Sequence, residues 1–100
     1  MNVRFLTIAE QEVDDAYRWF EERTEGMGLV FLENLSQVVR RIRTFPLAGT
    51  EVEPEIRRYL VPRFPYTVIY GLDDQTIVVI GVAHTHRKPR LWIERHIRTI

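Results

Sequence analysis

The chain has 100 residues, no cysteine and no net charge, a size that suits one domain over residues 1–100 with a core of its own. The missing cysteine excludes a disulfide framework, a thiol nucleophile and a thiolate metal site. No apolar run approaches the roughly 20 residues that span a bilayer, and no basic-then-apolar leader opens the chain, so a cytoplasmic protein without membrane contact is expected.

The charge is unevenly placed. Ile8–Glu25 holds seven acids against Arg18 and Arg23, whereas the stretch from His84 holds Arg87, Lys88, Arg90, Arg95 and Arg98 against Glu94. An acidic face and a basic end are expected, with a mixed solvated surface as the plain alternative. Thirteen of the fourteen basic residues are arginine, the side chain suited to bidentate carboxylate or phosphate contacts.

In chain order, Asn2–Leu6 alternates as a short strand. Thr7 and Glu10 have the spacing of a capping box, which opens a helix running to about Thr24. Ala9, Val13, Ala16, Tyr17 and Phe20 recur at helical spacing as its core stripe, and Asp14 and Arg18 are spaced to pair. Gly26 and Gly28 break this helix. A second helix spans about Leu29 to Thr44, with Phe31, Leu35, Val38 and Ile42 as its stripe, widened by Leu32 and Val39. Arg40, Arg41 and Arg43 complement its dipole, nucleic-acid contact being the alternative. The short link makes the two helices an antiparallel hairpin.

Leu47–Glu55, with Gly49, Pro54 and three glutamates, reads as a solvated loop. Ile56–Val61, Tyr66–Gly71 and Thr76–Ala83 then read as strands joined by short links, an antiparallel meander. The third is apolar almost throughout, as a strand buried on both faces would be. After Pro89 a final helical turn carries Leu91, Trp92 and Arg95. The order is β-αα-βββ: an α+β domain with the helical hairpin packed on a mainly antiparallel sheet.

Chemistry-bearing residues concentrate after the last strand. His84 and His86 form a His-x-His pair, but no third ligand is placed to complete a metal site, and no metal or cofactor is expected. Ser36, the only serine, lies mid-helix without a nucleophile-elbow context. Adjacent acids such as Glu21 and Glu22 point apart on a helix and read as a solvated face. Arg57 and Arg58, neighbours on one strand, point to opposite faces. With Arg63, His86, Arg87, Lys88 and Arg90 they suggest an anion-binding surface. Tyr59, Phe64, Tyr66, Tyr70 and Trp92 are interleaved, either as contact residues or as core.

The Val3–Phe5 strand, Ala16 with Trp19-Phe20, Gly26-x-Gly28-x-x-Phe31, Ile42 with Pro46, and Arg57-Arg58 combine with Phe64-Pro65-Tyr66 and Ile69-Tyr70. Val82-Ala83-His84, Arg87-Lys88-Pro89, Trp92 and Arg95 complete the pattern. Across essentially its whole length the chain resembles the RelE/ParE superfamily of type II toxin–antitoxin toxins, more closely its ParE branch. The resemblance implies a toxin held by a cognate antitoxin, ParD-like or other, that wraps it with a helix and an extended segment. Trp19 and Leu29, just off the core stripes, are the candidate antitoxin contacts. ParE-type members are associated with poisoning DNA gyrase, which would make His86, Arg87, Lys88, Arg90 and Arg95 the target contacts.

RelE-type members instead cut messenger RNA on the ribosome. They typically carry an arginine where this chain has Thr67, and a tyrosine or histidine where it has Trp92, whose indole cannot exchange a proton in that role. A ribonuclease reading would rest on Arg58, His86 and Arg87. The resemblance therefore points to a gyrase-inhibiting toxin rather than an enzyme. A ribosome-dependent endoribonuclease and a non-toxic binding module of the same fold are the alternatives.

Overall fold

The computed structural model describes residues 1–85. The elements run β1 (Asn2–Phe5), α1 (Thr7–Arg23), α2 (Met27–Thr44), β2 (Thr50–Glu53), β3 (Ile56–Leu60), β4 (Tyr66–Asp73) and β5 (Thr76–His84). Five strands form one sheet in the order β1-β5-β4-β3-β2, with β1 parallel to β5 and every other pairing antiparallel. The expected final turn around Leu91, Trp92 and Arg95 lies outside the described residues.

The α+β class, the helical hairpin and the meander match expectation; three local readings do not. First, Thr7 and Glu10 form no capping box: Leu6 is the N-cap and no side chain caps the helix. The Leu6 N–H donates to the Val79 carbonyl at 3.0 Å, so sheet pairing holds Leu6 extended and Thr7 is already helical. Second, α2 starts at Met27, so Gly28 lies inside it. The carboxylate of Glu21 accepts from Gly26 N–H and Gly28 N–H, at 2.9 and 3.0 Å. An anion from α1 thus caps the N-terminus of α2, a favourable position in the helix dipole. Glu21 is therefore structural rather than merely solvated.

Third, Thr50–Glu53 is a strand, not a loop. Glu51 stands directly opposite Arg57, and their side chains pair at 3.3 Å, so a cross-strand ion pair joins this charged edge strand to β3. The expected strand bounds also shift: β4 runs on to Asp73, leaving Asp74 and Gln75 as the turn, with Asp74 at φ 56°.

One sheet face carries the helices. Phe20 of α1 and Phe31 of α2 meet Phe64 and Tyr66 in edge-on and tilted contacts, with ring centroids 4.9 to 5.7 Å apart. All four predicted stripe residues of α2 are buried there, as are Ala9 and Ala16 of α1. Between Ile69 and Tyr70 the register slips, leaving Ile80 of β5 as an extra residue. The bulge follows directly on the last β1 pairing, Phe5 opposite Val79. Beyond it the Val82 N–H donates to Glu12 of α1 at 3.0 Å instead of to a strand. β5 is buried along both faces, as its apolar run predicts.

Candidate functional site

α1 separates two grooves, and helical geometry dictates which residues face each. Glu10, Val13, Asp14 and Tyr17 recur at i, i+3, i+4 and i+7 on one flank. With Phe5, Leu29, Leu32 and Leu35 they line a mainly apolar groove of about 700 Å³. Glu12, Asp15, Ala16 and Trp19 lie on the opposite flank. They meet Tyr66, Val82, Ala83 and His84 around a smaller, more polar notch of about 200 Å³.

Both residues expected to meet an antitoxin are exposed, Trp19 at 49% and Leu29 at 57%. They do not share one strip: Leu29 borders the apolar groove and Trp19 the notch, with α1 between them. Trp19 is held in place. The Arg23 guanidinium lies 3.5 Å from its ring centroid, Arg23 Nη1 donates to its carbonyl at 2.9 Å, and Phe20 packs against it edge-on at 5.1 Å. A large aromatic ring fixed before contact loses little freedom on binding, which is the character of an interface anchor. The acids of α1 rim both grooves. On this helix Asp14 pairs with Arg18 at 2.7 Å, as its spacing predicts.

The structure divides the proposed anionic surface. Arg57 turns to the helix face and is occupied there: Nη1 donates to the carbonyls of Leu47 and Gly49, at 3.2 and 2.8 Å, while Nη2 meets Glu51. Beside it Tyr70 is fully buried, donating to the Pro46 carbonyl at 2.7 Å and accepting from Gly49 N–H at 3.0 Å. Burial pushes the Tyr70 hydroxyl above its ordinary pKa, only partly opposed by the Gly49 hydrogen bond and the Arg57 charge. Arg57 and Tyr70 thus fasten the α2–β2 connection rather than contacting a ligand.

Arg58 points the other way and is exposed. Strand pairing sets Leu60 opposite Thr67 and Thr67 opposite Ala83, on the same face as Arg58 and away from the helices. Thr67 itself is buried. Of the ladder positions beside it, Leu60, Ile69 and Ala83 carry no ionisable group, whereas Arg58, opposite Ile69, is charged. The other interleaved aromatics also go inward: Phe64 is core, while Tyr59 and Tyr66 are half-buried against it.

His84 ends β5, half-buried, with its ring 5.8 Å from that of Tyr66. His86, Arg87, Lys88, Arg90, Arg95 and Trp92 lie outside the described residues, and with them the rest of the basic end. Among the described residues no three histidine, cysteine or carboxylate side chains gather to hold a metal ion, and no helix is long and apolar enough to cross a membrane.

Two helices laid on one face of this five-stranded sheet define a RelE/ParE-type toxin fold. A solved structure described as the chromosomal ParDE TA system from P. aeruginosa shares it, with a TM-score of 0.60 at 12% identity, over 84% of this chain and 95% of that one. Residues 3–89 match the family model of the ParE toxin of the type II toxin–antitoxin system parDE, and the chain belongs to that family. No match was found among the curated proteins.

Proposed function

We propose that this ParE-family toxin, a single domain over residues 1–100, acts in the cytoplasm by inhibiting DNA gyrase and is neutralised by a cognate antitoxin. The observation that carries the choice of target is the surroundings of Thr67. RNA cleavage by attack of the 2′-hydroxyl needs a base, an acid and charge stabilisation at the phosphate. The ladder positions beside Thr67 are the uncharged Leu60, Ile69 and Ala83, with Arg58 opposite Ile69. Arg58 supplies charge, but a guanidinium is a donor without an acceptor and cannot serve as the base. His86 and Arg87 would have to supply everything else. A surface that grips a macromolecule through His86, Arg87, Lys88, Arg90 and Arg95 asks less of these residues.

For the antitoxin we assign the apolar groove beside Leu29 to an amphipathic helix and the notch beside Trp19 to an extended segment that crosses α1. Helix-in-groove recognition suits the first site, since Val13, Tyr17, Leu29 and Leu32 present an apolar bed with Glu10 and Asp14 at its rim. The rim favours an antitoxin segment with basic residues beside its apolar anchors.

The test is induction in bacteria without the antitoxin, followed by assays for gyrase-dependent DNA breaks and the damage response. Intact DNA with cleaved ribosome-bound messages would replace this reading by the ribonuclease one. Unimpaired growth at high expression would leave a binding module without toxicity.

A further inference from the structure

The C-terminal end of α2 gathers arginines that form no ion pair among the described residues. The two ion pairs among the described residues are Asp14–Arg18 and Glu51–Arg57, so neither includes Arg40, Arg41 or Arg43. Arg41 lies over the Phe45 ring, 4.8 Å from its centroid. Arg40 and Arg43, three residues apart, share a side of the helix. With Met1 and Thr44 they line an open cleft of about 420 Å³, and no carboxylate among the described residues borders it. The Nε–H of Arg43 donates to the Met1 carbonyl at 3.2 Å, which fixes its guanidinium against the start of β1 while engaging none of its Nη–H groups. Glu33, the one acid of α2, precedes Arg40 by seven residues, roughly 10 Å along the axis, where salt largely screens it.

Two further points decide what such a cleft would take. Dipole complementation does not require three arginines: a helix C-terminus carries only about half a negative charge. A net positive corner remains after that demand is met. The guanidinium fork matches phosphate oxygens bidentately. Among the described residues no aromatic ring lines the cleft, so they offer no platform on which unpaired bases could stack. Such a lining suits the phosphates of a base-paired backbone better than unpaired bases.

We propose that Arg40 and Arg43 form a phosphate-backbone contact for duplex DNA, at the opposite end of α2 from the aromatic cluster and separate from the antitoxin grooves. The proposal does not depend on gyrase inhibition, and its test contains no gyrase, so either can fail without the other.

The test uses the full chain and a short fluorescein-labelled DNA duplex, read by anisotropy across a salt series from about 50 to 200 mM. Weak, sequence-independent binding is expected, with a dissociation constant on the order of 10⁻⁵ M. Each phosphate contact contributes about −0.9 to the slope of log affinity against log salt. The R40Q/R43Q variant should therefore flatten the slope by about 1.8 and bind at least roughly tenfold more weakly at the lowest salt. R40K/R43K should keep most of the slope, because it keeps the charge. Glutamine is nearly as good a helix former as arginine, and far-UV circular dichroism checks that the variants stay folded. An unchanged slope in folded R40Q/R43Q, no binding by the parent chain at about 50 mM salt, or tighter binding to a single-stranded RNA than to the duplex would each overturn the proposal.

Discussion

Tyr70→Phe isolates the latch between the α2–β2 connection and the sheet. The ring keeps its place and only the hydroxyl goes. That hydroxyl serves two backbone groups, accepting from Gly49 N–H in a buried bond and donating to the Pro46 carbonyl. The backbone is tightly packed at Gly49, where even a Cβ would stand 2.7 Å from the Arg58 carbonyl. Loss of the hydroxyl strands a buried N–H, which costs about 1–3 kcal/mol, while half-buried Pro46 can turn to water. We expect a loss of about 2 kcal/mol, or a melting temperature lower by roughly 8–16 °C for a domain of this size. Urea unfolding should show a lower midpoint with an unchanged slope. A loss below about 0.5 kcal/mol would refute the latch, because it would mean that Gly49 N–H finds water as easily as the hydroxyl.

The same residue sets a pH dependence. An acid whose folded-state pKa is raised favours the neutral form in the fold, so its contribution is complete below the unfolded value near 10 and is lost as pH rises past it. Stability should fall in the alkaline range above pH 10, more steeply in the parent chain than in Tyr70→Phe. Gly28→Ala should destabilise by about 1–3 kcal/mol through overpacking, measured by thermal unfolding. A Cβ there meets both the Tyr17 ring and the Tyr17 carbonyl oxygen at 2.8 Å, so Tyr17→Ala should not rescue it fully. Trp19→Ala should leave the melting temperature nearly unchanged and weaken antitoxin binding about 30-fold by calorimetry, the effect of roughly 2 kcal/mol at an interface anchor. Leu29→Ala should weaken the same complex independently, because α1 stands between the two side chains.

Long, strongly periodic segments were readable directly. Phe31, Leu35, Val38 and Ile42 declare a helix stripe that buries itself wherever the sheet lies, and all four are buried. The apolar run of β5 declares a strand covered on both sides. Residues whose partners lie across a turn or link, five to ten positions away, are not legible in the same way. Glu21 looks like a solvated acid until the hairpin brings Gly26 and Gly28 to it. Thr50–Glu53 looks like a loop because its ladder bonds and its Glu51–Arg57 pair belong to another strand. Arg57 looks like part of a ligand surface until the α2–β2 connection folds over it.

The candidate surfaces divide along the same line. Sequence alone determined the α+β class, the order of the helices and meander strands, and the exposed character of Trp19 and Leu29, since these follow from periodicity and residue type. Only the tertiary structure decided that Trp19 and Leu29 open onto different grooves, that Tyr70 is a latch rather than a contact, and that Arg40 and Arg43 border a cleft with Met1 from the far end of β1. The physical reason is common to all three. A side chain's role depends on which groups share its few ångströms of surroundings, and those neighbours are set by sheet register and helix packing rather than by adjacency in the chain.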